Sequence, residues 1–158
     1  MLTWMNWLIK GARRRLGHAV FAIMLSLPLG ACAEKEMNLD VVVFNYWPQA
    51  INDVTLNGNW IGAGFGGFGP GGTGGSTVIG VPIKLGRQQI RWVLSGGEGA
   101  LRPGEETILL ATAELKKVPR DAKYLAIYIY PDETVEVATS HFYPDDSKKG
   151  EARKHGRL

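Results

Sequence analysis

Between residues 39 and 144, no stretch of 12 or more residues carries the apolar spacing of an amphipathic helix. Apolar residues come instead in short β-branched and aromatic runs that stop at turn residues. VVVFNYW (41–47) stops at Pro48, and Val54-Thr55-Leu56 stops at Asn57-Gly58, a hairpin turn pair. Residues 77–83 are apolar, and Gly80 and Pro82 within them suit an edge strand or a bulge. In 88–95, Ile90, Trp92 and Leu94 alternate with Gln89, Arg91 and Val93 before Gly96-Gly97 breaks the run. Residues 107–115, between Pro103-Gly104 and Pro119, alternate less cleanly and are read as a strand rather than a short helix. The clearest unit is last. Leu125, Ile127 and Ile129 alternate with Tyr124, Ala126, Tyr128 and Tyr130, and Val135 and Val137 alternate across Pro131-Asp132-Glu133. This predicts a hairpin. Six or seven strands in about 110 residues predict an all-β domain over 39–144, a small antiparallel sandwich or open barrel.

The N-terminus has a different character. Arg13, Arg14 and Arg15 precede an apolar stretch from Ala19 to Leu29, followed by the small residues Gly30 and Ala31 and then Cys32. This is the layout of a secretory signal peptide over residues 1–31, with an apolar part too short to span a bilayer. The double arginine lacks the rest of a twin-arginine motif, and Met5 is an alternative initiator. Leu29-Gly30-Ala31-Cys32 resembles the lipobox of bacterial lipoproteins. The resemblance implies cleavage between Ala31 and Cys32, lipid attachment at the Cys32 thiol, and residues 32–38 as a lipidated linker. Cys32 is the sole cysteine, so no internal disulfide can form. Ala33, where an aspartate commonly retains lipoproteins at the inner membrane, implies an outer-membrane anchor facing the periplasm.

Charge follows the same division. The chain carries a formal +3, but the first 31 residues hold four basic side chains and no acid. The remainder holds 14 basic against 15 acidic residues, which removes the electrostatic argument for nucleic-acid binding. The last segment, 145–158, has few apolar residues and reads as a flexible basic tail, with contact to anionic lipid as the functional alternative.

Residues 62–80 are dense in glycine. They read as a loop between strands, either with Phe65 and Phe68 tucked onto the sandwich or with Trp60, Phe65 and Phe68 presented to a partner. Tyr124, Tyr128 and Tyr130 form a second candidate partner surface, with packing or ordinary exposure as the alternative. A phosphate loop is not supported, since Gly75-Ser76-Thr77 lacks the lysine and leads into a strand. Gly62, Gly64 and Gly67 have dinucleotide-fingerprint spacing but no βαβ context. No catalytic constellation is legible. Ser140 and His141 would point to opposite faces of a strand, as would Glu105 and Glu106, and Asp132-Glu133 and Asp145-Asp146 read as solvated loop acids. The expectation is a non-enzymatic protein with no metal and no cofactor.

Several features recur together: FNYW (44–47), Val-x-Leu-Asn-Gly, the glycine segment, a strand ending Val-Pro, Ile-Arg-Trp-Val, and LAIYIYPDETVEVATSHFYP (125–144). In that order they resemble a family of small bacterial lipoproteins of unknown function. Its members often lie beside type VI secretion phospholipase effectors and are thought to be their periplasmic immunity proteins. Members often carry a cysteine pair after the glycine segment, where this chain has Thr77-Val78-Ile79-Gly80. The resemblance implies a lipid-anchored periplasmic binding protein that occludes a secreted lipase. The alternative is a structural or accessory lipoprotein of an envelope or secretion assembly.

Overall fold

A computed structural model describes residues 36–68, 76–97, 100 and 102–154. The signal peptide, the cleavage site at Ala31 and Cys32, the centre of the glycine segment and the last four residues lie outside them. Eight strands are formed: β1 (Met37–Asn45), β2 (Ile51–Leu56), β3 (Asn59–Gly62), β4 (Ser76–Ile83), β5 (Gly86–Leu94), β6 (Thr107–Leu115), β7 (Tyr124–Ile129) and β8 (Val135–Ser140). One short helix, α1 (Lys148–Lys154), comes after them. The strands make two four-stranded sheets, ordered β4-β1-β7-β8 and β3-β2-β5-β6.

The architecture is the expected all-β sandwich. All pairings are antiparallel except one: β1 runs parallel to β7, with Val41 opposite Leu125 and Asn45 opposite Ile129. A parallel pair needs a long connection. Here the chain passes through β2 to β6 before returning to β1. Strand β3, hidden in sequence by the adjoining glycines, is formed because Asn57 and Gly58 both adopt left-handed φ (51° and 82°). That geometry reverses the chain in two residues and pairs Leu56 with Asn59. Residues 107–115 form a strand, and 124–140 form the expected hairpin. Strand β4 lies at an edge and is bulged. Leu39 pairs with Val81 and Val41 with Val78, leaving an extra residue opposite Asp40. Gly80 takes up the irregularity at φ 70° and donates its N–H to Asp40 Oδ1 at 3.0 Å.

The core is built from the inward residues of both sheets. Val41, Val43, Leu125, Ile127 and Ile129 meet Ile51, Leu56, Ile90, Trp92 and Leu94, all fully or almost fully buried. Every residue of this core lies between Leu39 and Val137, and residues 34–158 form one compact unit. The unit therefore carries the core it needs to fold by itself.

The outer faces of the two sheets differ. The β4-β1-β7-β8 sheet buries a second layer made of Val42, Phe44, Tyr46, Ala126, Tyr128 and Tyr130, with Phe68 packed against it. This explains why residues 41–47 are buried at every position: β1 has a core on each side. The expectation of a flexible tail over 145–158 is corrected here for its described part. Residues 145–154 cross this outer face, because three buried phenols on it need hydrogen-bond partners that the tail supplies.

Candidate interaction surfaces

The first candidate surface is the start of the glycine segment. Asn45, at the end of β1, is fully buried. Its Nδ2 donates to the carbonyls of Gln49 and Gly66, each at 2.8 Å, and its Oδ1 accepts the Trp47 N–H at 2.9 Å. Phe65 exchanges two backbone hydrogen bonds with Ile51, and the Phe68 N–H donates to the Trp47 carbonyl at 2.6 Å. Gly67 passes so close to the Pro48 carbonyl that a Cβ would overlap it. The segment is therefore stitched along the exit of β1 up to Phe68. Phe65 is 4% exposed and belongs to the core, and Phe68 packs on Tyr46 with ring centroids 5.6 Å apart. Neither is a free partner anchor. Of the loop aromatics only Trp60 is presented, at 62% exposed, and it stands on β3.

The tyrosine surface is likewise internal. Tyr128 and Tyr130 are buried and Tyr124 is half-buried. Tyr46 stacks on Tyr130 at 5.2 Å and Phe44 on Tyr128 at 5.0 Å. The Tyr46 hydroxyl donates to Asp146 Oδ1 at 2.6 Å, and the Tyr128 hydroxyl to the Asp145 carbonyl at 2.8 Å. The Tyr130 hydroxyl reaches both Glu136 and Ser147. Burial first, and the nearby carboxylates second, push the Tyr128 phenol up to about 12. Burial and Asp146 raise Tyr46, and burial outweighs the opposing Ser147 bond to raise Tyr130. The phenols stay protonated as donors. They hold the tail down and are closed to a partner.

The outer face of the β3-β2-β5-β6 sheet remains. Register places Trp60, Thr55, Arg91 and Leu110 in one row across all four strands. Asp53, Val93 and Ile108 form the next row. Ile108 is 62% exposed and Leu110 58%. Arg91 is tied to Asp53 at 3.3 Å, which fixes the guanidinium in the middle of the face. An aromatic, an arginine and two aliphatic side chains on a rigid sheet are the composition of a protein-binding surface. A sequence signal lay at 107–115, where Ile108 and Leu110 share a strand face with Thr112 and Glu114, so two aliphatic side chains fall on an otherwise polar face.

A cleft of about 320 Å³ opens at the end of the sandwich where β1 begins, between Glu36, Asn57, Lys84 and Arg87. Its floor is satisfied internally: Asn57 donates to Gln88 Oε1, and Gln88 donates to the carbonyls of Lys84 and Gly86. No grouping of three or more His, Cys, Asp or Glu suited to a metal occurs among the described residues. His141 contacts Asp121 and stands away from any nucleophile–base arrangement with Ser140, whose hydroxyl accepts the Phe142 N–H. No helix among the described residues is long and apolar enough to cross a membrane. No family model matches the chain, and neither a curated protein nor a solved structure is detectably similar to it.

Proposed function

We propose that this chain is a lipid-anchored binding protein of the bacterial envelope, held through Cys32, that blocks a secreted type VI lipase effector by covering it. The observation that carries the binding role is the bare aromatic-aliphatic face of Trp60, Arg91, Ile108 and Leu110. On the opposite outer face, the aromatic layer of β1 and β7 is covered by the chain's own tail. Occlusion needs surface complementarity and no reacting group, so the interface moves from the glycine loop and tyrosines to this sheet. The lipase target rests on the motif resemblance.

Co-purification of the mature protein with the product of the adjacent gene, followed by a lipase assay, tests it. A stable complex with lost lipase activity is expected. Trp60→Ser combined with Leu110→Ser should weaken that complex at least tenfold while the melting temperature holds, since both side chains are largely in solvent. Unchanged affinity would remove this face from the interface.

The accessory-lipoprotein reading is favoured by one observation. β6 is a nine-residue edge strand, and Ile108 and Leu110 are exposed on it. A permanent partner could extend the sheet there by strand addition. A complex with envelope proteins that forms without any effector would select that reading.

A further inference from the structure

Antiparallel and parallel register together decide which charges share an end of the sandwich. Met37 pairs with Ile83, Gly86 with Leu115, and Tyr124 with both Asp40 and Ser140. The start of β1, the β4–β5 turn, the 116–123 connection and residues 141–143 therefore lie at one end. Lys84, Arg87, Lys116, Lys117, Arg120 and Lys123 are exposed there. Among the described residues the acids at this end are Glu36, Asp40, Glu114 and Asp121; Asp40 is engaged by the Gly80 N–H and Glu36 pairs with Lys84 at 3.1 Å, so the bases remain in excess. Phe142, Tyr143 and Leu85 project among the bases at 76%, 52% and 40% exposed. The far end differs: Glu105, Glu106, Asp132 and Glu133 stand exposed in its loops, with Arg102 beside the first pair and Lys149 bonded to Asp132.

We infer that the basic end is a membrane-docking surface for anionic phospholipid, so that the sandwich stands end-on upon the bilayer. Three features agree. The end carries a basic excess, and each Lys or Arg near an anionic leaflet adds to the attraction. It presents an exposed phenylalanine and tyrosine beside the bases, the side chains suited to the headgroup region. It is also where the chain enters the domain. Met37 comes only five residues after Cys32, a reach of about 18 Å when fully extended. Given the anchor proposed above, on which this orientation rests, the short leash keeps this end within reach of the headgroups. Phosphates then meet Arg87 at the mouth of the cleft, and compete with Glu36 for Lys84. The β3-β2-β5-β6 face is left standing sideways, open to a partner in the periplasm.

The test uses residues 34–158, which hold the whole core and lack Cys32. Its result is thus independent of acylation, which is read separately by palmitate incorporation in the full chain and its loss in Cys32→Ser. Flotation with vesicles of phosphatidylethanolamine and phosphatidylglycerol should capture the domain at least tenfold more than phosphatidylcholine vesicles do. Raising salt to about 0.5 M should release it, because exposed charges are then screened within a few ångströms. Lys116→Glu with Lys117→Glu should cut capture tenfold or more, and Phe142→Ser severalfold. Glu105→Gln with Glu106→Gln, at the far end, should not reduce it. Far-ultraviolet dichroism and melting curves verify that each variant is folded. Absence of capture, equal capture by neutral vesicles, or indifference to the Lys116/Lys117 reversal would overturn the inference.

Discussion

Asn45 shows how one side chain can set the course of a loop. It is fully buried, and its amide both donates and accepts: Nδ2 holds the carbonyls of Gln49 and Gly66, and Oδ1 holds the Trp47 N–H. The glycines after it have almost no conformational preference of their own. The amide supplies the constraint they lack. Asn45→Asp keeps the shape and the acceptor but loses both donors and places a carboxylate against two carbonyls. It should destabilise the domain by about 2–3 kcal/mol in denaturant unfolding, and Asn45→Ala by about 1–3 kcal/mol. Hydrogen exchange at Phe65 and Phe68 should rise in both. An asparagine in an aromatic run was visible in the sequence. Its distant partner Gly66, 21 residues on, was not, because glycine-rich chain gives no periodicity from which a contact can be read.

At the scale of elements, the tail is the least legible part. Residues 145–158 are polar and read as loose, yet 145–154 are docked by Tyr128 and Tyr130, 17 residues before their partners, and by Tyr46, 100 residues before Asp146. Gly150 sits directly on the Tyr46 ring, where a Cβ would overlap it. In an isolated helix, alanine is favoured over glycine by about 1 kcal/mol. Gly150→Ala should nevertheless destabilise the protein or release α1, seen as faster hydrogen exchange over 148–154. A stabilised variant would mean that α1 is undocked. The Lys149 ammonium anchors the other side, 2.7 Å from Asp132 Oδ2. Burial alone would raise the Asp132 carboxyl. The bonds from Lys149 and Thr134 outweigh it and hold the group at about 2. Because the folded value lies below the unfolded one, the contribution is present above about pH 4 and is lost as pH falls toward 2. It is small, since half of the side chain is in solvent. The melting difference between wild type and Asp132→Asn should shrink across that window and be constant above pH 5.

For the whole molecule, Phe65 separates fold from function. It lies in the glycine segment but packs in the shared core, with Ile51 as its backbone partner. Phe65→Ala should lower the global unfolding free energy by about 3–5 kcal/mol, measured by denaturant midpoint at unchanged slope. Phe68→Ala, at the margin of the outer layer, should cost less. A loss of partner binding in a Phe65 variant therefore reports the fold, whereas Trp60 and Leu110 report the surface. The sequence by itself determined the class of the domain, its hairpins at Asn57-Gly58 and 131–133, and the inward sets on β5 and β7. All of these arise from local period-two patterning and turn chemistry, which act between near neighbours. Tertiary structure alone decided the parallel β1–β7 pair, the second core beneath the tail, and which aromatics face water. Alternation sorts side chains into two faces, but whether a face meets another layer or solvent depends on what the rest of the chain brings to it.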